Sequence, residues 1–351
     1  MDEITTPALV LDLGVVRGNV ATMAERIASL PADLRPHIKA HKCAEVARMQ
    51  VEAGAIGVTA ATVREATAMI EAGIGDVFVA NEVVSPPSMV ELLAAAERAR
   101  VCVAVDDLDN LASWGELARG RRLEIGVLVE VDVGLGRGGA RSDDAVVELA
   151  RRAASTAGVR FEGLYGYEGH CASEPDPAIR TSGVNASMER LSAAVGACRG
   201  AGLTVDVVSA GATGTFEITG AWPVVTEVQA GSYVLMDGFH APVVEGFGFA
   251  LEVVTTVLSR HGGLLVVDAG RKSIDVGLRP IAPPPGAEVA FVNEEHVGLW
   301  FAGGAPYSIG DRLRMVPGYA PTTVNLFGSY IVVDADRIVD VWSVLARHGT
   351  P

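Results

Sequence analysis

Cysteine is scarce in this chain and badly placed for any framework. Cys43, Cys102, Cys171 and Cys198 are the only four in 351 residues. They show neither CxxC nor finger spacing, which argues against a disulfide scaffold and a structural zinc site and fits reduced thiols in a cytoplasmic protein. Basic charge is also short: the formal net charge is -15, so a phosphate backbone would be repelled except at a local basic patch, and none is present. Nucleic acid is therefore not an expected partner. No apolar run approaches the roughly 20 residues that span a bilayer. Met1-Asp2-Glu3 opens with acid rather than the basic and apolar regions of a secretory leader, so neither export nor a membrane is expected. No GxGxxG follows the first apolar strand, which disfavours a doubly wound dinucleotide-type sheet.

With 49% hydrophobic and 20% charged residues, the chain can bury a large core and is expected to form two domains. Pro7–Leu13 reads as an apolar strand, and Val16, Val20, Met23, Ile27 and Leu30 then recur at spacings of three and four, the mark of one helix face. The same pairing repeats. Strands are expected at 34–39, 56–60, 76–80, 101–105, 125–132, 159–167 and 203–209. Between them lie helix starts at Thr62, with Glu65 as a capping box, at Ser85-Pro86-Pro87, at Asp106, at Ser142-Asp143-Asp144 and at about Val184. Eight strand–helix alternations within about 240 residues are the requirement of a (β/α)8 TIM-type barrel. After Gly238 the helical period is lost and short β-segments with Gly/Pro turns take over. The expected organisation is a barrel over residues 1–240 and an all-β domain over 241–351.

The stretch Arg35-Pro36-His37-Ile38-Lys39-Ala40-His41-Lys42 concentrates basic groups at the end of the second strand. Alternation puts Arg35, His37 and Lys39 on one face. Lys39 then stands at the strand end, where burial would lower its pKa and leave a nucleophilic amine; Lys42 is the competing candidate, less favoured on parity. Barrel active sites lie at the C-terminal ends of the strands, and the other ends are equally unusual. Strand six runs into Val131-Asp132-Val133-Gly134-Leu135-Gly136-Arg137-Gly138-Gly139, where Arg137 can donate to an anionic oxygen. Strand seven ends in Tyr165-Gly166-Tyr167-Glu168-Gly169-His170. The stretches Ser209-Ala210-Gly211-Ala212-Thr213-Gly214-Thr215 and Gln229-Ala230-Gly231-Ser232-Tyr233 combine small residues with hydroxyls, as a phosphate requires. A lysine, an arginine and two phosphate cradles at successive strand ends point to a phosphorylated carbonyl cofactor held as a Schiff base.

The ordered set RPHIKAHK, VDVGLGRGG, YGYEGH, SAGATGT, EVQAGSYVLMDG, VDAGRKS and NEEHVGLW resembles the D-threonine aldolase and D-serine dehydratase group of fold-type III pyridoxal 5'-phosphate enzymes, whose barrel is shared with alanine racemase. The resemblance covers nearly the whole chain. It implies that Lys39 is the Schiff-base lysine, that Arg137 meets the cofactor's phenolic oxygen and that Tyr167 is an aromatic neighbour of the cofactor. It further implies that Thr213, Gly231, Ser232 and Tyr233 hold the phosphate, with Ser209 opening the first cradle, and that Gln229 stands where alanine racemases carry an arginine facing the pyridine nitrogen. A homodimer is the implied assembly, and an amino acid the implied small-molecule substrate.

One motif departs from the group. Its members carry His-x-Cys or His-x-Asp after a Val-Pro dipeptide near the C-terminus, binding a divalent metal. Here Val316-Pro317 is followed by Tyr319 and Pro321 at the ligand positions. A proline has no side-chain donor atom and a neutral phenol is a poor substitute for imidazole, so no metal is expected at the family site. Three readings follow. The first is a lyase acting on a D-configured β-hydroxy amino acid by retro-aldol cleavage or elimination, with His170 taking the β-hydroxyl proton. The second is an amino-acid racemase or epimerase using Lys39 and Tyr319 as two bases. The third is a non-catalytic pyridoxal phosphate-binding protein.

Overall fold

The computed structural model describes residues 4–277 and 281–347. β1 (Ala8–Asp12) and α1 (Leu13–Ile27) open the chain. Strand and helix then alternate: β2 (Asp33–Leu34), α2 (Ala44–Glu52), β3 (Val58–Ala60), α3 (Val63–Glu71), β4 (Asp76–Glu82), α4 (Pro86–Ala95), β5 (Arg100–Val105), α5 (Leu108–Gly120), β6 (Ile125–Glu130), α6 (Asp143–Ser155), β7 (Val159–Tyr165), α7 (Pro177–Gly200), β8 (Val207–Ala210), α8 (Phe216–Gly220) and β9 (Glu227–Val228). The remainder is strand-rich: β10 (Leu251–His261), β11 (Leu264–Val267), β12 (Glu288–Val292), β13 (Val297–Trp300), β14 (Arg312–Met315), the short α9 (Ala320–Val324), β15 (Ser329–Asp334) and β16 (Arg337–Ser343).

Strands β2 to β9 form one parallel sheet in the order β2-β9-β8-β7-β6-β5-β4-β3. The parallel bridge between His37 and Thr59 joins its two ends. There Ile56 N–H donates to Leu34 O and Thr59 N–H to Pro36 O, both at 2.9 Å, which closes the ring. The expected (β/α)8 barrel is present. Its central strands are apolar because both of their faces are covered: all six residues of β6 are buried, as are five of six in β5. Phe78, Ala80, Cys102, Ala104, Leu128 and Tyr165, alternate positions on neighbouring strands, pack as one cluster with Tyr167 against it.

Barrel membership differs from expectation at both ends. The apolar segment Pro7–Leu13, counted above as the first barrel strand, is β1, which pairs antiparallel with β10 and parallel with β15. An apolar run reports burial on both faces but not which sheet receives it. The eighth place in the ring falls to β9, whose two residues are too few to show a period. By compactness, residues 23–39 and 47–231 make one unit, while the segment up to Thr22, residues 40–46 and the chain from Ser232 make the other. This division differs from the expected cut at 240/241, because β1 takes the N-terminal segment into the strand-rich unit. That unit's sheet runs β12-β13-β11-β10-β1-β15-β16, with β14 also on β10. Ile4, Ala8, Val10, Val254 and Val333 form part of its core.

Local signals mostly hold. Thr62 caps α3 by accepting from Glu65 N–H at 3.2 Å, and Ser142 caps α6 from Ala145 N–H at 3.2 Å. Asp107, not Asp106, caps α5; Asp106 instead accepts from Gly139 N–H at 2.9 Å and so ties the loop after β6. α7 begins at Pro177 behind the N-cap Asp176, not near Val184. All four cysteines are free and buried. Among the described residues no helix is long and apolar enough to cross a membrane.

Candidate active site

The barrel unit brings together the residues that follow β2, β6, β7, β8 and β9. Lys39 lies in a 3-10 turn, Ile38–Ala40, just past β2. Its Nζ stands over the Tyr167 ring, 5.7 Å from the centroid, and the Arg137 guanidinium carbon stands over the same ring at 5.5 Å. Two cationic groups thus share one aromatic platform, a geometry favoured by the ring quadrupole. Burial lowers the Lys39 amine from 10.5 to about 8, and the Arg137 charge pushes the same way while Glu65 opposes. About a tenth of such an amine is unprotonated at pH 7 and about half at pH 8, far more than for an ordinary lysine, and the free amine is what nucleophilic capture of a carbonyl requires. Burial pushes the Tyr167 phenol up to about 12, with Glu168 contributing, so the platform stays neutral. Lys42, the alternative amine, is buried with its backbone in the left-handed region at φ 49. It belongs to the other unit, where Nζ donates to Ala346 O at 3.1 Å.

Arg137 is held from below. Its Nη2 is 3.5 Å from the Tyr165 hydroxyl and 3.6 Å from Glu130 Oε1. Tyr165 is itself packed edge-on against Phe78 at 5.4 Å, and burial raises its phenol far above the ordinary range. Asp132 shapes the loop that carries Arg137 by accepting from Gly134 N–H at 3.0 Å and Gly136 N–H at 2.9 Å. The Gly136 bond, chiefly, holds its carboxyl below the usual range. His170 is exposed and lies against Gly134: a Cβ there would meet its Cε1 at 3.2 Å and Nε2 at 3.3 Å. The loops after β6 and β7 therefore meet at His170, Asp132 and Gly134.

The two phosphate-type stretches also fall at strand ends. Ser209 and Gln229 are buried, and Gln229 Nε2 donates to Ser209 Oγ at 2.8 Å. Thr213 is buried in the turn between β8 and α8. Gly231 fits only without a side chain, since a Cβ would lie 2.2 Å from His37 O. Ser232 and Tyr233 open a 3-10 turn in the other unit, where Tyr233 is fully buried and its ring lies 5.5 Å from that of Phe247. Tyr319, in that unit, is the N-cap residue of α9. Its ring stacks on His240 at 6.0 Å and meets Phe239 edge-on at 5.2 Å. Among the described residues no group of three or more His, Cys, Asp or Glu is arranged to hold a metal ion.

The donor set fits pyridoxal phosphate: a partly buried lysine of lowered pKa, an arginine sharing its aromatic neighbour, a buried amide and hydroxyl, and two tight turns after the last strands. A family model described as alanine racemase, N-terminal domain, matches residues 11–238, and one described as a putative serine dehydratase domain matches 250–333. The chain belongs to the alanine racemase N-terminal domain family. Within it, a D-threonine aldolase of Arthrobacter sp. is 36% identical, covering 98% of this chain and 93% of its own length. A 3-hydroxy-D-aspartate aldolase of Paracoccus denitrificans is 33% identical over 98% and 92%. A D-threo-3-hydroxyaspartate dehydratase of Delftia sp. is 31% identical over 99% and 98%. The crystal structure of D-threonine aldolase from Filomicrobium marinum superposes with a TM-score of 0.96 at 33% identity, covering 99% of this chain and 97% of that one. The resemblance read from the motifs is thus shown, and the lyase chemistry it implied is common to these relatives.

Motif reading singled out candidate side chains but not their neighbours: Tyr165 and Glu130 beside Arg137, Glu82 beside Glu130, and Glu168 beside Tyr167. A signal existed for Glu130: it is the single charged residue in Ile125–Glu130, and an acid ending a wholly apolar strand needs a partner.

Proposed function

We propose that this chain is a pyridoxal phosphate-dependent lyase that cleaves a β-hydroxy amino acid of D configuration between Cα and Cβ, with no divalent metal at the family site. The observation that carries the reading is the shared platform: Lys39 Nζ and the Arg137 guanidinium over one Tyr167 ring, at 5.7 and 5.5 Å. When bound, the cofactor supplies a carbonyl that captures an amino group and a ring that accepts charge from the Cα bond being broken. Lys39 would be the residue that holds it, and its free amine would be the base beside Cα. Arg137, anchored by Tyr165 and Glu130, presents a cation to an anionic oxygen over the Tyr167 face. Gln229, oriented by Ser209, presents an amide rather than an arginine. Thr213 and Gly231 hold the phosphate. His170, at the exposed rim beside Asp132, takes the β-hydroxyl proton and so drives the Cα–Cβ cleavage that releases an aldehyde.

Incubation with paired D- and L-β-hydroxy amino acids in deuterated water tests this. Aldehyde release from the D series alone is expected. Keto-acid release would replace cleavage by elimination, and deuterium at Cα with inverted configuration would make the protein a racemase. Borohydride treatment followed by peptide mapping should place the cofactor on Lys39. Modification of Lys42 instead would overturn the assignment.

A further inference from the structure

Glu168 is fully buried immediately after Tyr167, yet no step above uses it. A buried carboxylate is costly unless its oxygens are satisfied, and this one takes three donors, two from the segment between β8 and α8 and one from α8 itself. Oε2 accepts from Gly211 N–H at 3.1 Å, and Oε1 accepts from the Thr215 hydroxyl at 2.6 Å and the Thr219 hydroxyl at 2.5 Å. Thr215 Oγ1 in turn accepts from Ala212 N–H at 3.0 Å, and Thr215 N–H returns to Ala212 O at 3.1 Å. Gly211 enters the turn in the left-handed region, φ 89, with Val228 so close that a Cβ would meet it at 3.1 Å. One carboxylate therefore engages both the entry and the exit of the turn that carries Thr213 and Gly214 at its crown.

We infer that Glu168 is a positioning residue for the cofactor's phosphate: by fixing Gly211, Ala212 and Thr215 from inside, it leaves the crown of the turn, Thr213 and Gly214, shaped to receive the anion. This rests on the reading that pyridoxal phosphate is the cofactor. A negative charge behind an anion cradle opposes the ligand, and the three bonds turn that charge toward Gly211, Thr215 and Thr219. Its neighbour Tyr167 carries Lys39 and Arg137, so the dipeptide Tyr167-Glu168 sets the ring platform and the phosphate turn together. Glutamine at 168 keeps the size but must aim amide hydrogens at one of the three donors, which opens the turn.

The test compares binding of pyridoxal phosphate and of pyridoxal, which lacks the phosphate, to apo-protein by intrinsic fluorescence, for wild type, Glu168→Gln and Thr215→Val. Both variants should lose about tenfold to a hundredfold in the preference for the phosphorylated form, the range for one charge-assisted hydrogen bond, with pyridoxal affinity nearly unchanged. An unchanged preference, or equal losses for both ligands, overturns the inference. If Glu168→Gln does not fold, Thr215→Val decides alone, since it keeps shape and removes the link from the carboxylate to Ala212. Wild type that binds neither ligand would instead defeat the assignment of the cofactor.

Discussion

The Glu130 carboxyl lies 3.6 Å from the Arg137 guanidinium, yet burial and a second carboxyl oppose its ionisation. Burial, with Glu82 as a second carboxyl beside it, pushes Glu130 from 4.5 up to about 9 against the pull of Arg137. At neutral pH Arg137 therefore rests against a neutral group and keeps its charge for an anionic oxygen. Glu130→Gln mimics that protonated state, so its activity at pH 7 should stay close to wild type. Wild type should lose activity as the pH passes about 9 and Glu130 ionises, whereas the variant should not. The sign for stability is the same. The unfolded chain releases this proton near 4.5 and the folded one near 9, so wild-type stability falls across that window, and Glu130→Gln removes the slope. Parallel pH–rate curves for the two proteins would refute the assignment.

Lys39 gives the opposite sign. Its amine titrates at about 8 in the folded protein against 10.5 for an ordinary lysine. The folded state thus binds the proton more weakly, and the buried charge costs stability below pH 8. The cost disappears as the pH climbs from about 8 to 10.5. Apo-protein carrying Lys39→Met should melt above wild type at pH 7 and converge with it by the top of that window, as scanning calorimetry can show. A melting difference independent of pH would mean that the amine is not desolvated.

Arg35 was read in sequence with His37 and Lys39 as one face of a strand. Its side chain is instead a structural cation: Nε donates to both Glu227 oxygens at 3.0 Å and Nη1 to Asp76 at 2.6 Å. Asp76 pairs on with Arg100, which also meets Glu162. Removing the guanidinium strands Glu227, whose side chain is 3% exposed. Arg35→Ala should therefore cost about 3–5 kcal/mol in urea denaturation of apo-protein, the range for breaking a buried pair. Adding Glu227→Gln should recover part of the loss. A loss under about 1 kcal/mol, the range of an exposed pair, would show that water reaches the pair.

Arg35 and Lys39 also mark how far the sequence could be read. The barrel was legible because parallel strands covered on both faces are written as apolar runs, and the helices between them carry a 3.6-residue period. Lys39, Arg137 and Tyr167 were legible because barrel chemistry collects at strand ends. The destination of β1 was not, since no local pattern distinguishes the sheet that will bury it. Glu130 and Glu168 were missed for a related reason: what makes each unusual is a neighbour far away in sequence, Glu82 for one and Thr215 and Thr219 for the other.

The motif resemblance would put metal ligands at positions 319 and 321, where this chain carries Tyr319 and Pro321, and the local geometry suggests a way to install them. Tyr319 is the N-cap residue of α9 and Pro321 lies in its first turn, where a missing N–H is tolerated. Asp237 fixes the turn by accepting from Ala320 N–H at 2.7 Å, and its other oxygen accepts from His240 Nδ1 at 2.7 Å. A histidine at 319 and a cysteine at 321 would enter a backbone already held, beside an imidazole whose Nδ1 is already oriented. Tyr319→His with Pro321→Cys should therefore bind Zn2+ or Mn2+, seen by calorimetric titration, while wild type should not. Wild-type activity should survive dialysis against chelator. Loss of that activity, restored by manganese or zinc, would show that the native reaction uses a metal despite Tyr319 and Pro321.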